Sequence, residues 1–169
     1  MNKQFFKIYG AKERQDGVLK LSEKKCVIYF GFGKDSEDAE SGYNWRKDYD
    51  HIPTIAEIKA DIEALVNSQT DTTILTGFSW NGKPVYLSTE NQFNFKAAYD
   101  LAFQSNGANL PIKFKLGENE DGTPVYHTFT KTEVLADFMM KVFTFINDTL
   151  KDGWALKDSV DYSVYTITE

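Results

Sequence analysis

The sequence predicts an α+β fold in which antiparallel β-hairpins pack on helices behind a small N-terminal β region. Three observations predict it. Asn81-Gly82 stands between two runs of strand-forming residues, the pair that a two-residue hairpin turn demands because both central positions take positive φ. A capped amphipathic helix follows that hairpin. The same order then returns forty positions later, with Gly82-Lys-Pro-Val-Tyr86 echoed by Gly122-Thr-Pro-Val-Tyr126. We read this as an internal ββα duplication over residues 73–106 and 110–151. Two regions are expected: residues 1–52, an N-terminal β region with an aromatic and acidic loop, and residues 53–169, the α+β domain.

In chain order, Gln4-Phe-Phe-Lys-Ile-Tyr9, Val18-Leu-Lys-Leu21 and Cys26-Val-Ile-Tyr-Phe30 read as strands, with a turn at Asp16-Gly17. The stretch from Gly33 to Gly42 is acidic and small and reads as an exposed loop. Tyr43-Asn-Trp-Arg-Lys-Asp-Tyr-Asp-His51 shows no clear period, so the boundary between the regions is placed here. Thr54 with Glu57 has capping-box spacing. Ile55, Ile58, Ile62, Leu65 and Val66 then fall on one helical stripe opposite Glu57, Lys59, Asp61 and Glu63.

A hairpin closed at Asn81-Gly82 sets Trp80 opposite Lys83, Phe78 opposite Val85 and Thr76 opposite Leu87. Strand alternation puts Ile74, Phe78, Trp80, Val85 and Leu87 on the core face. Thr89 with Gln92 suggests a second cap, Phe95, Ala98, Tyr99 and Ala102 the buried stripe, and Asn106-Gly107 the stop. Residues 110–116 and 124–129 form the second hairpin across an acidic turn. Thr130 with Glu133 suggests a third cap. From Lys131 to about Leu150 the helix is apolar over most of its circumference: Leu135, Phe138, Met139, Val142, Phe145 and Ile146, widened by Val134, Met140 and Phe143. Such a helix is central to a core or part of an oligomer contact. Gly153 is expected to stop it, and Trp154 with residues 160–167 to fold back over the core.

Composition narrows the function classes. The 169 residues suffice for one domain with a true core. Aromatics make up 15% of the chain, which points to a ring-packed core or to rings kept for a partner. A net charge of −6 argues against a nucleic-acid surface over the whole domain, since phosphate contacts need clustered Lys and Arg. Cys26 is the single cysteine, so no intramolecular disulfide forms. Residues 1–8 lack the apolar stretch of a secretory signal, and no run reaches the roughly 20 apolar residues of a membrane span. The expectation is a protein made in the cytoplasm, with no membrane partner.

No cluster amounts to a chemical site. Gly31-Phe-Gly-Lys34 after a strand lacks the earlier glycine of a phosphate loop and has Asp35 where a hydroxyl residue belongs; a strand end or bulge is expected. Asp35, Glu37, Asp38 and Glu40, and Glu118, Glu120 and Asp121, do not keep EF-hand spacing and read as solvated loops. Asp48, Asp50 and His51 are neighbours, yet a transition-metal site needs further ligands, and His127 is the other histidine. Cys26 lies in an apolar strand, where a thiol is inert filling. No catalytic residue, cofactor or metal is assigned. The functional candidates are Tyr43, Trp45, Arg46 and Tyr49, residue types enriched at binding hot spots. The competing reading is that they pin this segment to the domain.

The run Gly77 to Ala102, with Phe114-Lys-Leu-Gly-Glu118 and Val125-Tyr-His-Thr-Phe129, resembles an uncharacterised family encoded by tailed phages and prophages of gut Bacteroidetes, often near tail genes. The resemblance extends from about Tyr49, through Asp50-His-Ile-Pro-Thr54, to Trp154-Ala-Leu-Lys-Asp-Ser159. It implies a virion-associated or assembly setting and no reaction. The expected function is therefore that of a non-enzymatic structural, assembly or adaptor protein, partnered by a virion or tail component or by itself as a homo-oligomer. The alternative is a small hydrolase or metal-dependent enzyme, for which His51 or His127 would lie beside two carboxylates in a pocket.

Overall fold

The structure, a computed structural model, describes residues 4–167. Residues 1–3 and 168–169, the outer ends of the two expected regions, lie outside the described residues. Among the described residues the fold is α+β, with antiparallel hairpins and three helices. Backbone contacts group the chain into two compact units: residues up to Val66 with those from Lys157 onward, and Asn67–Leu156. The division falls inside the first helix, where the expected one fell at residue 52.

The first unit is built on a four-stranded antiparallel sheet. Strands β1 (Phe6–Ala11), β2 (Gly17–Ser22), β3 (Lys25–Gly33) and β4 (Gly42–Tyr49) lie in the order β1-β4-β3-β2. Three of these strands were legible. The fourth, Gly42–Tyr49, corrects the expectation of an aperiodic segment. β4 is interior, paired with both β1 and β3, and is covered on both faces: Asn44 and Tyr49, which point to opposite sides, are both buried. Burial on both faces erases the polar/apolar alternation that reveals a half-buried strand. Asn44 is satisfied by backbone, its Oδ1 accepting from Gln15 N at 3.0 Å and its Nδ2 donating to Glu13 O at 3.1 Å. A buried amide so paired avoids a cost of about 1–3 kcal/mol and ties residues 13–15 to the sheet.

Helix α1 (Ile55–Thr76) begins at the expected cap. Thr54 N donates to Glu57 Oε2 at 2.8 Å, and Glu57 N donates to Thr54 Oγ1 at 3.2 Å. In this unit it buries Ile58, Ile62 and Val66; Ile55, placed on the stripe by spacing, is exposed. A 3₁₀ turn, Tyr162–Tyr165, completes the unit: Tyr165 is buried, and its hydroxyl donates to Tyr29 O at 3.0 Å.

The second unit holds the two ββα segments. Strands β5 (Phe78–Trp80) and β6 (Lys83–Val85) pair as expected, Phe78 with Val85 and Trp80 with Lys83, and Asn81 and Gly82 have φ of 50° and 72°. The Thr76–Leu87 pairing is corrected. Residues 74–76 belong to α1, which runs on past residue 66, and Leu87 N donates instead to Leu75 O at 2.9 Å. Within this extension the Thr72 and Thr76 hydroxyls donate to the carbonyls four residues back, Ser68 O and Thr72 O. Ile74 still packs on the core, but from a helix.

Helix α2 (Thr89–Gln104) is capped by Ser88, whose Oγ accepts from Asn91 N at 3.2 Å; Gln92 reaches back to Leu87 O. The expected Thr89 cap is thus one residue late. Strands β7 (Ile112–Glu118) and β8 (Pro124–Phe129) form the second hairpin, and the hairpins join through Tyr86 N and Leu116 O at 2.7 Å. The matched pentapeptides keep the same order. Gly82 and Gly122 both have positive φ, Val85 and Val125 turn inward, and Tyr86 and Tyr126 stay about half exposed.

Helix α3 (Thr132–Asp158) starts one residue later than a Thr130 cap predicts, with Leu135 N bonded to Lys131 O. It also runs through Gly153. That glycine is buried where α3 crosses α1: a Cβ there would lie 2.5 Å from Thr70 Oγ1. Its missing side chain serves close helix packing, and Trp154, expected over the core, is 54% exposed on the same helix. The core is a ring cluster of Phe78, Trp80, Phe95, Phe129 and Phe138, filled in by Val85, Leu87, Leu116, Leu135 and Val142.

Candidate functional site

In the first unit the structure separates the four candidates. Residues 43, 45, 47 and 49 alternate onto one face of β4, and Arg46 points to the other. Tyr43 and Trp45 meet edge to face, centroids 5.6 Å apart, and Tyr9 of β1 adds a second such contact at 5.7 Å. Lys7, which pairs with Trp45 across the strands, sets its ammonium 3.9 Å from the centre of the Tyr43 ring while bonding Asp35 at 2.8 Å. The Asp35 hydrogen bond holds the Lys7 pKa up and, in return, Asp35's down. The rings stand at 65° and 83° to one another, so they make no flat stacking platform. Arg46 Nε donates to Asp48 at 2.7 Å, with its guanidinium 5.9 Å from the Phe6 ring centre and 6.0 Å from that of Tyr29. Tyr49 is buried; its hydroxyl bonds Asp61 of α1, which Lys47 also pairs at 2.6 Å. Burial first, then the Asp61 bond, raises the Tyr49 pKa and keeps the phenol neutral. Tyr49 thus fastens α1 to the sheet, and Tyr43, Trp45, Lys7 and Tyr9 form the accessible cluster.

Below that face lies an open cleft of about 610 Å³ lined by Lys47, Tyr49, Asp50, His51, Glu57 and Asp61. His51 bridges two carboxylates, Nδ1 to Asp50 at 3.1 Å and Nε2 to Glu57 at 3.2 Å, and these bonds raise its pKa, Asp50's first. Both ring nitrogens are engaged by carboxylates, which leaves neither free to take a proton from a substrate. Glu57 is held in its ionised form chiefly by the Thr54 backbone N–H. Cys26 contacts the His51 carbonyl, not its ring, through Sγ at 3.9 Å, and burial raises its thiol pKa.

In the second unit His127 packs against Trp80 and Phe129, with ring centroids at 4.9 and 4.6 Å, and its Nδ1 lies 3.3 Å from Lys83 Nζ. Burial and then the Lys83 charge lower its pKa, so it is a neutral acceptor. A cleft of about 430 Å³ lies over the β6–β7 junction beside Tyr86, Asn91, Lys115 and Glu118, with the last two paired at 2.5 Å.

The remaining sequence candidates are accounted for locally. Gly31, with φ of 65°, lies in the expected bulge between Phe30 and Gly33 and donates its N–H to Asp16, a carboxylate where a phosphate would have to sit. Asp121 accepts from both N and Oγ1 of Thr123, closing a turn. Among the described residues no group of three His, Cys, Asp or Glu side chains is placed to hold a metal, and no helix is long and apolar enough to cross a membrane.

Searched against protein-family models, curated proteins and solved structures, the chain matches none.

Sequence reading missed Lys7 and Tyr9, which join the cluster only through the β1–β4 register. It named Met140 and Phe143 as widening the apolar face of α3 and allowed an oligomer contact there, but did not join them to Trp154 in one outward row; Met140 is 70%, Phe143 52% and Trp154 54% exposed. The signal was present in the row Ala136, Met140, Phe143, Asn147, Leu150 and Trp154, spaced four, three, four, three and four apart with one polar member, a narrower repeat than a core-facing stripe requires.

Proposed function

We propose that this chain is a non-enzymatic phage or prophage protein, virion-associated or serving assembly as an adaptor, and that it works through protein contacts. The observation that carries the reading is the outer surface of the second unit. Phe93, Phe103 and Met140 are each about 70% exposed, in company with Leu101, Phe143 and Trp154. Met140, Phe143 and Trp154 share one face of α3, and large apolar side chains kept in water on one face favour a partner that covers them. The phage setting rests on the resemblance of residues 77–102, 114–118 and 125–129. The test is co-expression with the products of the neighbouring genes, followed by copurification and light scattering. A defined complex with a tail component supports the proposal; a strict monomer that binds none of them removes it.

A second reading, a small hydrolase or metal-dependent enzyme, draws on His51 between Asp50 and Glu57 in the open cleft. Both imidazole nitrogens are occupied and Glu57 is committed to the helix cap, so the geometry favours a structural role. Hydrolysis of any simple ester or phosphoester that disappears with His51→Ala would promote this reading over the first.

A further inference from the structure

Helix α3 carries two faces. One, with Leu135, Phe138, Met139 and Val142, is buried in the core of its own unit. The other is a row, Ala136, Met140, Phe143, Asn147, Leu150 and Trp154, spaced four, three, four, three and four residues apart. That alternation keeps one seam of an α-helix turned toward a second helix over several turns. In the structure Met140, Phe143, Asn147 and Trp154 are exposed and Ala136 and Leu150 half-buried. The row therefore does not serve the core already described.

We infer that α3 pairs with α3 of a second copy of this chain, antiparallel, through the row from Ala136 to Trp154. Volume and charge select this occupant and direction. When Met140 faces the partner's Leu150, Ala136 faces the partner's Trp154, and the smallest side chain of the seam receives the largest. The flanking positions then bring Asp137 beside the partner's Lys151, twice over by symmetry, with Thr144 near the axis. Asp137 now accepts from Lys141 at 2.8 Å and from Trp80 Nε1 at 3.1 Å, and Lys151 lies 3.5 Å from Asp148; all four charged groups are half or more exposed, so they can add a partner across the seam. A parallel pair offers neither match. It sets Ala136 against itself, leaving a gap, and Trp154 against itself, causing crowding. Asp137 and Lys151 would then face the row of Met139, Ile146 and Gly153, which carries no charge. This inference rests on the reading that the chain acts through its outer surfaces and names a second copy as one partner.

The test is light scattering over a concentration series, with far-UV circular dichroism to verify that each variant keeps its helices. The expected mass is about twice 19.3 kDa at high concentration, returning to 19.3 kDa in Phe143→Glu. Lys151→Asp weakens the dimer by about tenfold, and adding Asp137→Lys restores it, since only an across-seam pair is repaired by exchanging both charges. Direction is read from disulfides: mixing Ala136→Cys with Trp154→Cys protein gives the mixed adduct, and neither variant links to itself. A folded monomer at all concentrations, a dimer indifferent to Phe143→Glu, or self-linked Ala136→Cys would overturn the inference. If the monomer still binds a tail component, the contact-protein reading stands and the α3 pairing alone is lost.

Discussion

Replacing Gly153 by alanine sets two effects of opposite sign against each other. Alanine in a helix interior is favoured over glycine by about 1 kcal/mol, because glycine loses more backbone freedom on folding. The new methyl, however, would lie 2.5 Å from Thr70 Oγ1 and 3.4 Å from its Cγ2, with the Thr70 Cβ at 3.5 Å behind them. Thr70 is β-branched and sits in α1, so its rotamers are restricted and the helices must shift by several tenths of an ångström. Overpacking of this kind costs about 1–3 kcal/mol. The expected net effect of Gly153→Ala is a destabilisation of about 1 kcal/mol. In a Thr70→Ala background the two close atoms are gone and the nearest remaining contact, at 3.5 Å, is ordinary. There the propensity gain stands alone, and Gly153→Ala stabilises by up to about 1 kcal/mol, a coupling of about 2 kcal/mol between the sites. Urea unfolding followed by far-UV circular dichroism measures it as a midpoint change at constant m-value. Equal stabilisation by Gly153→Ala in both backgrounds would refute the helix-crossing role, as would destabilisation that Thr70→Ala leaves untouched.

Three further outcomes follow from the local geometry. Thr54→Ala removes the α1 cap and lowers stability by about 1 kcal/mol, read as a drop in urea midpoint, whereas Thr54→Ser retains most of it. His51 is raised by Asp50 and Glu57, so its contribution is fully present below its unfolded pKa and is lost as pH rises through the folded one; His51→Gln should flatten that part of the stability–pH curve. His127 has the opposite sign: its folded pKa is lowered by burial and by Lys83, so stability is full above the unfolded value and falls with pH through the folded one. Lys83→Met should raise the His127 pKa in an NMR titration, and no upward movement would show that the ammonium at 3.3 Å exerts no field there.

What the sequence made legible was local. Asn81-Gly82 fixes a hairpin because its backbone angles exclude other residues, and Thr54 with Glu57 marks a helix start from four positions alone. What it hid depends on distant partners. β4 was illegible because residues 13–15 cover one of its faces at Asn44 and α1 covers the other at Tyr49, so both side chains are buried. The end of α1 was misplaced because Ile74 also fits the strand alternation of the hairpin, while the helix in fact carries it to the core. Gly153 looked like punctuation and is a contact. Of the candidate cluster, Tyr43 and Trp45 were visible by residue type; Lys7 and Tyr9 needed the strand register to join them.

The hydrogen bond from Tyr165 to Tyr29 spans 136 positions of the chain. On the ribosome, the four strands emerge long before the buried ring that bonds the Tyr29 carbonyl has been made. The nascent sheet must wait with that place vacant, and premature termination between Asp158 and Tyr162 would release a first unit lacking one of its largest buried rings while leaving the hairpin cluster whole.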